Sequence, residues 1–214
     1  GNIVVTVSQS GSSAEIVRLL ERKGPLYIGL SNTPSSPLAT QSSITLLTKA
    51  GEEGGVACKT AVSLLAALYW LGEHFANGDL QAAKQELDSV PPAVESYLKR
   101  WQEYVGELVH MLPDTRHIFL TGRGASLAIT GLGAMVQKEA AHFHAEGMSS
   151  AALRHGPFEM LDPASFVVVF EGDENVREIN HRLVHDVLQT GAKAYLCGTS
   201  TPEGPFALPA TLQS

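Results

Sequence analysis

Cysteine is scarce: the 214 residues contain two, Cys58 and Cys197, far apart in the chain. That excludes a disulfide framework and points to a reducing compartment, with both residues read as plain buried thiols. Basic residues are also few, 15 Lys and Arg against 22 Asp and Glu, giving a formal net charge of −7. No basic stripe is left to track a nucleic-acid backbone, so nucleic acid is not an expected partner and any anion must be held by a local device. No apolar run is long enough to span a membrane, and no signal peptide precedes the first apolar segment. The expected setting is therefore cytoplasmic, without a membrane partner. An initiating Met and a closing element are missing too: Gly1-Asn2 leads straight into an apolar run, and Ala207 to Ser214 reads as loop. The sequence is expected to be the middle of a longer chain, with N-terminal and C-terminal parts outside it.

Hydrophobic residues make up 44% of the chain, enough for a sizeable core in one large or two small α/β domains. Short apolar runs alternate with helical patterns, the signature of βα units on a mostly parallel sheet. Strands are predicted at 3–8, 25–30, 44–48, 116–121, 166–170 and 193–197, and helices at 13–23, 56–76, 79–89, 92–112, 125–146 and 174–190. Between Asp79 and Leu112 there are two helical stretches and no strand, divided at Pro91-Pro92, where proline can end one helix and open the next. This predicts a first lobe over 1–90, a linking helix over 91–112 and a second lobe over 113–214. The lobes read as degenerate copies, with Val4 to Ser12 aligning by position with Val167 to Glu174. In the second copy the serines give way to Glu171, Asp173 and Glu174. Their charge would repel phosphate, so only the first lobe can bind it at this turn.

Several segments carry candidate chemistry. Ser8-Gln9-Ser10-Gly11-Ser12-Ser13 lies between the first strand and the first helix. Hydroxyls and backbone N–H groups gathered there can cradle a phosphate, and the same residues suit an ordinary helix cap at Ser12 or Ser13. Gly122-Arg123-Gly124 repeats the strand, glycine turn and helix in the second lobe. No GxGxxG follows it and no acidic residue ends the next strand in the expected way, which argues against a nicotinamide cofactor. Glu139 has Met135, Val136, His142 and Phe143 as its helical neighbours, with no Lys or Arg on that face. A carboxylate on a partly apolar face has a raised proton affinity and suits a general base; the alternative is a pair with a basic residue of another helix. His155, in Leu153-Arg154-His155-Gly156-Pro157, is presented from a turn that Gly and Pro enforce, either as a proton shuttle or as a surface histidine. His142 and Glu146 share a helical face while His144 points elsewhere, so no three-ligand set forms and no metal is expected. Glu52 to Thr60 enters a long apolar helix and could line a cleft beside the serine turn, with Cys58 in a packing or backbone-contact role.

Taken together these segments resemble the sugar isomerase (SIS) superfamily, in particular tandem SIS domains like the isomerase domain of glucosamine-6-phosphate synthase and its stand-alone relatives. Ser8-Gln9-Ser10-Gly11 resembles the SQSGET phosphate loop, Gly55-Val56-Ala57-Cys58 the GVAS segment, and Gly122-Arg123-Gly124 the GRG turn. Lys138-Glu139, His144-Ala145-Glu146 and His155-Gly156-Pro157 match family elements in order and spacing. Ser12-Ser13 replaces Glu-Thr, Val136 stands where the family has lysine, and Cys58 where it has serine. The resemblance implies an α/β fold of two SIS-type lobes, each a flavodoxin-like three-layer sandwich, and a site for an open-chain hexose 6-phosphate. It implies that Ser8, Gln9, Ser10 and Ser13 hold the phosphate, that Val56 and Cys58 lie near the sugar, and that Glu139 moves a proton between C1 and C2. It further implies that His155 assists ring opening from the neighbouring subunit of a homodimer, and that no cofactor takes part. The expected activity is a phosphosugar isomerase or deaminase acting on an amino-sugar or ketosamine 6-phosphate. The alternatives are a non-catalytic sugar-phosphate-binding regulator and the isomerase half of a glutamine-dependent synthase.

Overall fold

Seven strands, most of them runs of β-branched and other apolar residues, form among the described residues, 2–211 of this computed structural model, and they fall into two separate sheets. The chain divides into two units, Gly1–Leu87 and Asp88–Ser214. In the first, β1 (Ile3–Val7), β2 (Leu26–Ser31) and β3 (Ile44–Leu47) pair in that order, all parallel, with Val5 opposite Ile28 and Leu30 opposite Leu46. Helices α1 (Ala14–Leu20) and α2 (Pro37–Gln41) make the crossovers that parallel strands require. Beyond β3 come α3 (Cys58–Phe75) and α4 (Leu80–Leu98), and the division between the units falls within α4.

The second unit continues with α5 (Trp101–Met111), β4 (His117–Gly122), α6 (Leu127–Ala141), β5 (Ala145–Ser149) and α7 (Ser150–Arg154). It closes with β6 (Ser165–Phe170), α8 (Glu174–Gln189) and β7 (Lys193–Cys197). Its sheet runs β5-β4-β6-β7, parallel throughout. The period of two along β6 sends Val167 and Val169 to one face, with Leu183 and Val187 of α8, and Phe166 and Val168 to the other, with Ala134 of α6. Because both faces are covered, β6 reads as an unbroken apolar run rather than an alternating one. This unit is a three-layer α/β sandwich. Among the described residues no helix is long and apolar enough to cross a membrane.

Two helical expectations are corrected. The helix predicted over 125–146 ends at Ala141: His142 takes the left-handed conformation at φ 51° and terminates it, and Ala145–Ser149 is a strand beside β4. Ala-Glu-Gly-Met-Ser has almost no strand propensity, so its place is set by pairing and by the smallness of Gly147. A Cβ there would lie 2.2 Å from the Thr130 carbonyl oxygen of α6. Secondly, Pro91-Pro92 does not divide two helices but lies inside α4. Ala83, Leu87, Val90, Ala93 and Tyr97 are covered at helical spacing across the pair, while both prolines sit on the exposed side. The break comes later, at Lys99-Arg100 before α5. The five-residue helices α2 and α7 are too short to show a period; each is capped by a serine, Ser36 or Ser149, accepting from the N–H of Ala39 or Ala152.

The packing of α6 on β5 gives a paired test. Gly147→Ala should lower stability by about 1–3 kcal/mol, because the added carbon meets backbone that can only move aside. Gly131→Ala, in α6 with nothing within 4 Å of the new methyl, should raise it by about 0.5–1 kcal/mol. Urea unfolding of both variants would check the opposite signs.

Candidate functional site

The parallel order of the first unit brings the segments after β1, β2 and β3 out at one edge of the sheet, the edge at which open α/β sheets bind ligands. The segment after β1 is the serine turn. Ser8 extends the pairing by donating its N–H to Leu30 O at 3.0 Å. Three hydroxyl oxygens then accept from backbone N–H groups: Ser8 from Gly11 at 3.0 Å, Ser10 from Ser12 at 3.4 Å, and Ser13 from Ile16 at 3.4 Å. Ser12 differs, since its hydroxyl donates to Ser10 O at 3.1 Å. An accepting hydroxyl keeps its own proton for another partner, and those of Ser8, Ser10 and Ser13 donate to no other described residue. Ser13 therefore caps α1 and retains a free O–H, so the capping and anion-binding readings of this turn are compatible.

Gly11 fixes the shape of the turn. Its φ is +63°, and a Cβ on it would lie 2.3 Å from Ser36 Oγ and 2.9 Å from Ser31 Oγ. Its carbonyl accepts from Leu38 N at 3.0 Å, tying the turn to the start of α2. Gln9 is exposed at the tip, and its carbonyl accepts from Asn32 N and Ser31 Oγ, both at 3.2 Å.

The segment after β3 carries Val56 and Cys58. Val56 is half-buried and accepts from Cys58 N at 3.0 Å. Cys58 opens α3 and is exposed, which corrects the expectation of a buried thiol there; Cys197 is buried, and burial pushes its thiol up to about 12. Sequence reasoning assigned no role to Glu53. Its carboxylate accepts from Thr60 Oγ1 and from the N–H groups of Lys59 and Thr60, so it caps the 18-residue helix α3. Chiefly the Thr60 hydroxyl, and then these N–H groups, hold the carboxyl below its ordinary 4.5. Lys59 lies six positions after Glu53, too long a reach for the usual cap signal, in which the acceptor adjoins the helix.

Glu139 and His155 lie in the second unit on separate elements. Glu139 is on the last turn of α6, exposed, with no hydrogen-bond or ion-pair partner among the described residues. The apolar face expected around it is not formed: Met135 is 45% exposed and His142 has left the helix. His155 ends α7, exposed, and Gly156 at φ +124° turns the chain into the 3-10 turn Pro157–Met160. His142 and Glu146 do not share a helix; Glu146 is on β5 and lies 3.5 Å from His144. Among the described residues no three His, Cys, Asp or Glu side chains are grouped to hold a metal ion.

The acidic turn after β6 is committed to its own unit. The Glu171 side chain is 3% exposed, 3.1 Å from Arg177 Nε and 3.3 Å from His181 Nε2, and accepts from Ser200 N at 3.0 Å. Burial alone would push its carboxyl up; Ser200, His181 and Arg177 outweigh that and hold it below the ordinary value. Asp173 caps α8 by accepting from Asn175 N at 2.9 Å.

Residues 111–212 match the SIS domain family. The chain is 35% identical over 182 residues to the glutamine–fructose-6-phosphate aminotransferase (isomerizing) of Leifsonia xyli, covering 79% of this chain and 29% of that enzyme. Similar enzymes of other organisms match likewise, and this chain spans about a third of their length. Among solved structures, the C-terminal domain of glucosamine-fructose-6-phosphate aminotransferase from Francisella tularensis superposes with a TM-score of 0.79 at 28% identity, covering 91% of this chain and 58% of that one. Glucosamine-6-phosphate deaminase from Thermotoga maritima shares the fold, with a TM-score of 0.75 at 17% identity over 98% of this chain and 63% of that one.

The Glu53 cap should be visible in the acid stability of the protein. A carboxyl held below its ordinary value in the folded state stabilises above that value and ceases to do so as pH falls through the lowered one. Glu53→Gln should therefore melt below the wild type at pH 7, and the gap should close below pH 4.5. Melting curves of the two proteins between pH 7 and pH 3 would check this, and a gap independent of pH would remove the cap from the account.

Proposed function

With an SIS domain over residues 111–212 as the premise, we propose that the protein is a phosphosugar isomerase or deaminase acting on an amino-sugar or ketosamine 6-phosphate. The observation that carries the reading is the serine turn, whose three accepting hydroxyls keep their protons for an anion. Ser8, Gln9, Ser10 and Ser13 hold the phosphate, and Val56 and Cys58 border the sugar. Binding energy from the phosphate then positions carbons that the turn itself does not touch. Glu139, as carboxylate, takes the proton from one of C1 and C2 of the open-chain sugar. The electrons of that C–H bond form the C1=C2 double bond of an enediol or enolamine while the neighbouring carbonyl π pair moves onto its oxygen, which takes up a proton. The same carboxyl then returns its proton to the neighbouring carbon as the hydroxyl or amine on the first carbon loses one and becomes the new carbonyl or imine. In the deaminating direction the transfer leaves an imine at C2; water adds to it, the C–N bond breaks with ammonia as leaving group, and a ketone remains.

His155, exposed on its turn, assists ring opening from the second subunit of a homodimer. The first unit is the other SIS-type lobe, also a parallel sheet, and carries the loop site at its carboxyl edge. A second reading, the isomerase half of a glutamine-dependent synthase, is favoured by the relative named glutamine–fructose-6-phosphate aminotransferase (isomerizing), of which this chain matches 29% of the length.

Glu139→Gln should abolish turnover of glucosamine 6-phosphate, followed as fructose 6-phosphate and ammonia together, while sugar-phosphate affinity stays within about tenfold, because a base acts in the transition state. A large loss of affinity with normal turnover would contradict the role. Ser10→Ala combined with Ser13→Ala should weaken phosphosugar binding by about 1–3 kcal/mol, the scale of hydrogen bonds to a charged group. Titration calorimetry would check this below the melting transition, since Ser13 also caps α1. Binding without turnover in the wild type would instead favour a sugar-phosphate sensor.

A further inference from the structure

We infer that Asn32 is a positioning residue that couples the serine turn to the loop carrying Val56 and Cys58, and so gives the site its preference for a phosphorylated sugar over bare phosphate. The inference rests on the reading of the serine turn as the phosphate site. Asn32 follows β2, the central strand of the three, and so stands between the segments leaving β1 and β3. Its backbone N–H donates to Gln9 O at 3.2 Å, and the adjacent Ser31 hydroxyl donates to the same oxygen at 3.2 Å. Its side chain reaches the other way. Oδ1 accepts from Thr48 Oγ1 at 3.0 Å and from Ala50 N at 2.9 Å, and Nδ2 donates to Gly51 O at 2.8 Å.

One residue thus holds the tip of the serine turn through its main chain and the start of the second loop through its amide. The loop needs an external clamp, because β3 ends at Leu47 and the backbone then enters left-handed conformations at Lys49, φ 51°, and Gly51, φ 78°, where ladder hydrogen bonds stop. Downstream, Glu53 ties the loop to α3. The span from Thr48 to Thr60 is therefore fixed at both ends, and Val56 and Cys58 lie within it. An anion drawn to the serine turn acts on Gln9, and the Asn32 main chain and side chain carry that restraint to the sugar side. Both polarities of the amide are used, so an aspartate of the same shape would set an acceptor against the Gly51 carbonyl.

The test compares two probes, glucosamine 6-phosphate and inorganic phosphate, by titration calorimetry. Asn32→Ala and Asn32→Asp should lose about tenfold in affinity for the sugar phosphate and keep inorganic phosphate within about twofold. Thr48→Val, which removes a single bond to Oδ1, should shift the ratio in the same direction by less and serves if the Asn32 variants fold poorly. The combined Ser10 and Ser13 variant should bind both probes more weakly. Proportional loss of both probes in the Asn32 and Thr48 variants, as general loosening of the unit would give, overturns the inference, and so does an unchanged ratio. Unchanged binding of both probes in the serine variant overturns the phosphate assignment and this inference with it, whereas serine-dependent binding with an unaltered ratio overturns this inference alone.

Discussion

In each sheet every strand runs in the same direction, and this parallel pairing constrains everything else. Parallel neighbours cannot be joined by a tight hairpin, so each connection carries a helix or a long loop back across a face. In the second unit both faces are covered as a consequence, and β6 becomes a continuous apolar run. The segments that leave the strands all emerge at one edge, where backbone groups no longer used in the ladder are available to a ligand. In the first unit these are the serine turn, Asn32 and the loop toward α3. They come from positions far apart in the chain and meet because the strands before them are aligned.

The two units put this edge to different uses. After β1 the chain places short hydroxyl side chains and a glycine, leaving O–H donors directed by their own backbone contacts. After β6 it places Glu171 and Asp173, and both carboxylates are consumed inside the unit, one by Arg177, His181 and Ser200 and the other by the start of α8. Uncommitted donors favour an anion arriving from outside, whereas satisfied carboxylates knit the unit together and repel one. The shape of the first turn depends on Gly11: a side chain at that point would push the turn off Ser31 and Ser36.

Much of this was legible in the sequence where one physical signal dominated. Strands such as Ile3–Val7 and Ser165–Phe170 are apolar runs bounded by turn residues, and local pattern suffices for them. Ala145–Ser149 was not legible, because it is held by pairing with β4 and by the close approach of Thr130 rather than by propensity. The prolines of α4 misled for a related reason, since a covered stripe continuing on both sides outweighed a local breaker. The serine turn could be read because its donors are consecutive. Asn32 and Glu53 could not, for each acts on residues that only the folded chain brings near. The surroundings of Glu139 were misjudged because the helix stops at Ala141, so His142 and Phe143 are not the helical neighbours that a longer helix would have made them.

The two cysteines have opposite environments, one at the exposed start of α3 and the other buried in the core of the second unit. Within these residues the chain thus carries its own addressable reporter position. A thiol-reactive fluorophore or spin label would enter at Cys58 while Cys197 stays shielded, and the label would sit at the start of α3, where the loop that Asn32 and Glu53 hold joins it. Movements of that loop are in this way open to spectroscopy.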